Sequence, residues 1–457
     1  MIDWTPALGR LDGPRYLAIA EAIAAAIRAG ELAPGARLPP QRRLAERLGI
    51  DFTTVSRGYA EAQARGLIDS HVGRGSFVRA EGVRAAPPPD PRRAREADLS
   101  MNLPPEPADP ALLARMREGM AAVSADLVAL LRYQSPIGSE RDREAAGVWL
   151  AERGLAPGLD RVAVAPGAHV ALVAILSTLA RAGDVVLCEA LAYPGLRAIA
   201  QRLGLGLVGL EGDADGPRPE ALEAAIRRHG PRALCLNPTL HNPTTRTIPA
   251  PRRAALAEVL RRHRLPLIED DACGFVPLLP PAPFAALAPE LVWHLGGLSK
   301  CLGAGLRLAY VVAPDARAAV TLAQALRAVA VMPSPIAAAL ATRWIEDGTA
   351  EAIRRALRAE AAARQAIAAE VLQGFAWEAD RAAFSLWLQL PEGAGRAELM
   401  GRMAGRQIGL MPSDAFAVAG APGEQVRVCL GGPLGREDLR AGLLFLADTL
   451  SGGGWMG

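Results

Sequence analysis

From about Arg161 onward, short β-rich apolar runs alternate with longer Ala/Leu/Arg stretches at helical spacing. The runs include VAVA, VVLCE, ALCLN, PLIEDD, VWHL and LAYVVA. A helix between two strands brings the second strand back in the same direction. The alternation therefore predicts a largely parallel sheet with helices over both faces. Ligands of such sheets sit beyond the carboxyl ends of the strands. The residues just after each run are where chemistry is expected.

After VAVA comes Pro166-Gly167-Ala168-His169 and then the helical stretch ALVAILSTLAR. A Gly at a helix N-terminus opens backbone N–H groups to a phosphate. After PLI come Glu269-Asp270-Asp271, after ALCLN comes PTLHNPTT with Asn242 in a turn, and after WHLGGLS comes Lys300, with Arg307 seven residues on. Lys300 is the only lysine among 51 basic residues. Arg replaces Lys wherever a positive charge is all that is needed, but it cannot supply a primary amine that attacks a carbonyl to form an imine. Singly, these features are unremarkable: a lone Arg is usually a surface Arg, and strand-end acids are often a metal site or solvated charge. Together they match pyridoxal 5'-phosphate. Lys forms the imine, a buried carboxylate keeps the ring nitrogen protonated, and backbone N–H groups with an Arg bind the phosphate.

The 457 residues suggest two or three domains, and at 51% hydrophobic the chain has ample material for a core. Cys188, Cys235, Cys273, Cys301 and Cys429 are odd in number and scattered, without CxxC pairing. That points to a reducing compartment and away from disulfides or structural zinc. The N-terminus lacks a basic start and apolar run, and no apolar stretch reaches the ~18 residues of a membrane span. The expected location is the cytoplasm. Residues 1–80 hold eleven Arg and eight acids, so the whole formal charge of +3 lies there. A polyanionic partner is implied.

Within that basic head, Tyr16, Ile19, Ile23 and Ile27 recur at helical spacing and stop at Gly30. QRRLAERLG forms a second helix, and IDFTTVSRGYAEAQARG a third, with Asp51 or Thr53 as its cap. LIDSHV and SFVRA alternate as two strands around Gly73-Arg74-Gly75. Three helices and a hairpin predict a winged helix-turn-helix. The stretch from Gly30 to Val78 resembles the GntR-type DNA-binding domain. By that resemblance Arg42, Thr53, Thr54 and Arg57 meet DNA, and Arg74 at the wing tip lies near a phosphate or the minor groove. Phe52 stands where an Arg is common in that family, which implies either apolar base readout or burial.

Residues 81–98 carry Pro87, Pro88, Pro89 and Pro91 and read as an extended linker. From residue 99 to about 450, the stretches YQSPIGSERDREAAGVWLAERGL, PGAHVAL, AYPGLRAIAQRLG, LNPTLHNPTT, IEDDACG, LSKCLGAGLRLAYVVAP and VRVCLGG resemble fold type I aminotransferases. With the head, the whole resembles the MocR-type transcriptional regulators. The expected plan is a winged helix-turn-helix over 1–80, the linker over 81–98, and an α/β aminotransferase-like domain with large and small subdomains over 99–457.

The resemblance implies that Lys300 is the Schiff-base lysine, Asp270 the partner of the pyridine nitrogen, Asn242 a donor to the ring oxygen and Tyr193 the stacking ring. Gly167, Ala168, Ser299 and Arg307 bind the phosphate; Tyr133 reaches the phosphate of a neighbouring subunit, which implies a homodimer. Arg427 holds a carboxylate through its fork, unless it merely pairs with a local acid. Three positions depart from the family: Cys273 where Tyr is usual, Gly297 where Ser or Thr is usual, and Thr245 where Gly is usual. The expected function is a regulator that senses an amino compound through the Lys300 aldimine and holds an operator in double-stranded DNA. The alternative is a working aminotransferase with a vestigial DNA-binding head; a third reading, a dimerisation domain without cofactor, sits poorly with Lys300.

Overall fold

The structure, a computed structural model, describes residues 4–6, 14–71, 75–79, 100–406 and 408–452. These divide into two units, one ending at Arg79 and one beginning at Ser100. Arg74 and the Pro-rich linker lie outside the described residues.

In the first unit, α1 (Arg15–Arg28), α2 (Gln41–Leu48) and α3 (Phe52–Ala64) precede an antiparallel hairpin of β1 (Ile68–His71) and β2 (Gly75–Val78). Gly49 ends α2 with a left-handed φ of 60°. Asp51 is the cap of α3, its Oδ1 accepting from the Thr53 amide at 2.8 Å. The Thr53 hydroxyl donates to the same carboxylate, so it supports the cap instead of being one. Ile19, Ile23, Leu44, Val55, Tyr59 and Ile68 form the core. At Gly58, a Cβ would lie 2.8 Å from the Ile19 side chain, which is how closely α1 and α3 approach. The Tyr59 hydroxyl ties α3 to the turn before α2 through Pro39 O, at 2.8 Å. This is a winged helix.

The second unit opens with α4 (Pro110–Ser124), α5 (Leu127–Leu130) and α6 (Glu140–Ala151), then enters the sheet. Its strands are β3 (Val162–Ala165), β4 (Val185–Glu189), β5 (Gly206–Leu210), β8 (Ala233–Leu236), β9 (Leu267–Asp270), β10 (Val292–Gly297) and β11 (Ala309–Val312). A two-residue hairpin, β6 (Gly212–Asp213) with β7 (Gly216–Pro217), interrupts the count. The spatial order is β3-β11-β10-β9-β8-β4-β5, parallel throughout except for β11. Successive side chains of a strand face opposite sides. Val162 and Val164 thus enter one core layer while Ala163 and Ala165 enter the other, against α7 (Ala168–Leu179). Each fully buried Val, Leu or Ile in these layers contributes about 1.5–3 kcal/mol. A second, antiparallel sheet of β12 (Trp377–Glu378), β13 (Ser385–Gln389), β15 (Gln425–Cys429) and β14 (Gly409–Pro412) packs with the helices Thr349–Val371 and Arg436–Ser451. Among the described residues, no helix is long and apolar enough to cross a membrane.

Candidate functional site

A cleft beyond the carboxyl ends of β8, β9 and β10 gathers residues from all along the second unit. Lys300, Asp270, Asn242, Tyr193, Ala168, Ser299 and Arg307 line it, together with Asn102, His169, Asn237, Cys273 and Gly297. Strand alternation sorts the three consecutive acids. Asp270 faces the cleft, while Glu269 and Asp271 are wholly buried on the other side. There Glu269 accepts from the Phe284 and Ala285 amides at 2.8 and 3.0 Å, and Asp271 pairs with Arg153 at 2.8 Å. Among the described residues no cluster of potential metal ligands forms, and these acids are balanced by amides and an Arg.

Asp270 accepts from the Ala272 amide at 3.2 Å. Burial pushes its carboxyl up to about 6, against some relief from the Lys300 charge. Burial likewise holds the Lys300 amine below its ordinary range, and the Arg427 charge pushes the same way. An amine so placed loses its proton more readily and is the better nucleophile. Its Nζ donates to Asn102 O.

Asn237 organises the far wall. Its Nδ2 donates to Asp270 O at 2.7 Å, its Oδ1 accepts from the Asn242 amide at 2.8 Å, and its own amide donates to Glu189 at 2.8 Å. Arg427, on β15, donates to Asn242 Oδ1 at 2.6 Å. Because a guanidinium has only donors, this contact fixes the orientation of the Asn242 amide. Nδ2 is left to donate elsewhere. Arg427 also donates to Ser100 O, stands 5.2 Å from the Phe416 ring, and has a buried Nε without a partner. Its hydrogen-bond acceptors are neutral, so pairing with a local acid does not describe it. A buried guanidinium with a spare donor suits an incoming carboxylate.

At the other end, Gly167 leads α7 with φ 92°, and a Cβ there would lie 3.2 Å from Arg307 Nη2. A backbone conformation that favours glycine, a helix N-terminus and a guanidinium meet at one point, which is the composition of a phosphate cradle. Tyr193 is half-buried at the cleft and packs edge-on against His169, with centroids 6.3 Å apart. Burial, and secondarily the Arg307 charge, lowers the His169 pKa. This donor set fits a phosphorylated aldehyde bearing a basic ring nitrogen.

The departures have physical readings. Cys273 is buried, and burial pushes its thiol up to about 12, leaving a neutral, weak donor. Thr245 keeps the left-handed φ of 61° that Gly would favour, and its Oγ1 accepts from the Asp380 amide at 3.0 Å. At Gly297, a Cβ would make only ordinary contacts, 3.5 Å to Ala272 and 3.6 Å to Ala168.

Tyr133 is 87% exposed and does not line the cleft. In the head, Arg42, Thr53 and Arg57 are exposed and Thr54 half-buried. Phe52 is 43% exposed beneath the Arg42 guanidinium, so burial is not its role. Arg57 lies over the Tyr16 ring at 4.2 Å. Sequence reasoning missed Asn102, Asn237 and His169 as lining residues. Asn237 and His169 sit inside the stretches that follow strands, where chemistry was expected, whereas nothing local marks Asn102.

Residues 97–440 match the family described as aminotransferase class I and II, and residues 15–78 match bacterial regulatory proteins of the gntR family. The chain is similar to the uncharacterized HTH-type transcriptional regulator YdeF of Bacillus subtilis, 28% identical over 98% of this chain and 97% of that protein. It is also similar to the vitamin B6 salvage pathway transcriptional repressor PtsJ of Salmonella typhimurium, 30% identical over 68% of this chain and 70% of that one. Among solved structures, LysN of Thermus thermophilus, an alpha-aminoadipate aminotransferase complexed with N-(5'-phosphopyridoxyl)-L-leucine, superposes with a TM-score of 0.69. It is 25% identical, with 78% of this chain and 92% of that one covered.

Proposed function

The chain belongs to the aminotransferase class I and II family and carries a gntR-family helix-turn-helix head, and from that premise we propose that it is a pyridoxal-phosphate-dependent transcriptional regulator. The observation that carries the reading is the convergence of Lys300, Asp270, Asn242 and Arg307 on one cleft, in a chain whose other unit is a winged helix. The names of YdeF and PtsJ support regulation, and the ligand of LysN supports the cofactor.

Pyridoxal phosphate, when bound, supplies an aldehyde for a lysine amine and a ring that withdraws electrons. Lys300 is the residue that would hold it covalently. Asp270 would keep a proton on the ring nitrogen, Asn242 Nδ2 would donate to the ring oxygen, and Tyr193 would pack against the ring. The N–H groups leading α7 at Gly167 and Ala168, with Ser299 and Arg307, hold the phosphate. Arg427 takes the carboxylate of an amino compound, which makes that compound the effector. Exposed Tyr133 is assigned to a partner subunit's cofactor, in a cytoplasmic homodimer. Arg42, Thr53, Thr54, Arg57 and Arg74 face operator DNA. A working aminotransferase remains the alternative because the amine, acid and phosphate-binding groups are complete; steady turnover with an amino acid and a keto acid separates the two.

The test uses the full chain and the DNA upstream of its own coding region. Borohydride treatment is expected to fix the cofactor on the peptide containing Lys300, and Lys300→Arg to lose the aldimine absorption band, the borohydride-fixed product and the ligand response of DNA binding. Retention of the aldimine band in Lys300→Arg would overturn the cofactor site. DNA binding indifferent to an amino compound in the parent chain would overturn the regulator.

A further inference from the structure

We propose that residues 100–104 form a strap that occupies the place of the effector's carboxylate, so that an effector binds by lifting the strap from Arg427. The inference rests on the reading of Arg427 given above.

The strap's backbone carbonyls cap both reactive cations of the cleft. Arg427 Nη2 donates to Ser100 O, and Lys300 Nζ donates to Asn102 O. Met101 and Asn102 form part of the cleft wall. The seat is specific: Gly432 N donates to Pro104 O at 3.1 Å, Leu103 N to Met101 O at 2.8 Å, and Pro105 bridges to Gly432. Closest of all is Gly431, where a Cβ would lie 1.7 Å from Leu103 O. Only a residue without a Cβ lets the strap lie there. Yet the fit is incomplete, because Asn102 Oδ1 is buried with no hydrogen-bond partner. A cavity of about 220 Å³, lined by Leu103, Pro105, Pro107, Leu302 and Gly305, borders the same segment and gives it room to shift.

A peptide carbonyl offers Arg427 one neutral oxygen, whereas a carboxylate offers two oxygens and a full charge matched to the guanidinium fork. The carboxylate is therefore the stronger partner. The strap competes because it is tethered and always present at high effective concentration. Lys300 releases its own hold separately. Condensation with an aldehyde would form the C=N bond and expel the aldehyde oxygen, with two hydrogens of the amine, as water; the planar nitrogen left carries at most one proton, confined to the C=N plane, so the amine's hold on Asn102 O is given up. Arg427 is the remaining anchor.

The test uses the cofactor-loaded full chain with propionate as the probe. This carboxylate has no amine and cannot exchange with Lys300. Calorimetry gives its affinity, and hydrogen exchange reports the Leu103 and Gly432 amides. Propionate is expected to speed exchange at both amides at least about 5-fold by opening the seat. Gly431→Ala should exchange rapidly without ligand and bind propionate about 10-fold tighter, since one charge-assisted hydrogen bond no longer has to be broken. Propionate binding to the unaltered chain with no change in exchange would overturn the strap. So would a folded Gly431→Ala with unchanged or weaker affinity. If Gly431→Ala does not fold, the exchange measurement on the unaltered chain decides. No propionate binding to either protein would overturn the strap together with the carboxylate role of Arg427, while the borohydride product shows separately whether the cofactor assignment stands.

Discussion

Substituting Gly297 locates the phosphate. Gly297 ends β10 in extended backbone, and the Cβ contacts there of 3.5–3.6 Å are ordinary, so both Ala and Ser fit. Gly297→Ala narrows the unfolded ensemble and should stabilise the chain by about 0.4–1 kcal/mol, without touching the cofactor. Gly297→Ser adds a hydroxyl beside Ala168, at the start of α7. A hydrogen bond to a charged acceptor contributes about 1.5–3 kcal/mol, less the cost of desolvating the hydroxyl. A net gain of about 1.4 kcal/mol corresponds to about 10-fold in affinity. Absorbance titration of the cofactor-free chain with pyridoxal phosphate should therefore give a Kd about 10-fold lower for Gly297→Ser than for Gly297→Ala. Titration with pyridoxal, which has no phosphate, should give the same Kd for both variants. An equal gain for pyridoxal, or no gain for either ligand, would refute the placement of the phosphate at the head of α7.

Arg42→Ala and Arg57→Ala should each weaken operator binding and reduce the salt slope by about one for every DNA phosphate left unneutralised; fluorescence anisotropy across a salt series checks this, and unchanged slopes would count against the interface. Burial lifts Asp270 from an ordinary 3.8 to about 6, so the folded, cofactor-free chain keeps a proton that the unfolded chain has lost between those values. The stability from this group is present below about pH 4 and lost as the pH rises through 6. Asp270→Asn should therefore flatten that loss and leave the cofactor-free chain up to about 3 kcal/mol more stable than its parent at pH 7.5, by urea unfolding. Arg153→Met strands Asp271 as a buried, unpaired charge and should cost about 3–5 kcal/mol in the same assay.

Much of the architecture was legible in the chain because its signals are local. VAVA and ALCL read as strands buried on both faces, and Gly49 and Asp51 mark helix ends through backbone freedom and a carboxylate cap. The sole lysine, the acid at the end of β9 and the glycine heading α7 marked the cleft through the chemistry their residue types permit. Strand alternation alone could not say which of Glu269, Asp270 and Asp271 faces the cleft, because it fixes that neighbours diverge but not which side holds the ligand; the choice of Asp270 came from the family resemblance, and Asp270 is the one that lines the cleft. Nor could the sequence show that Asn237 positions Asn242 and Asp270, or that Arg427 meets neutral acceptors. The strap was the least legible element of all. Asn102 and Lys300 are 198 positions apart, and Ser100 and Arg427 are 327 apart. Local propensity acts over a turn or a strand. Pairings across such distances exist only once every intervening element has packed, and there the tertiary structure alone decides.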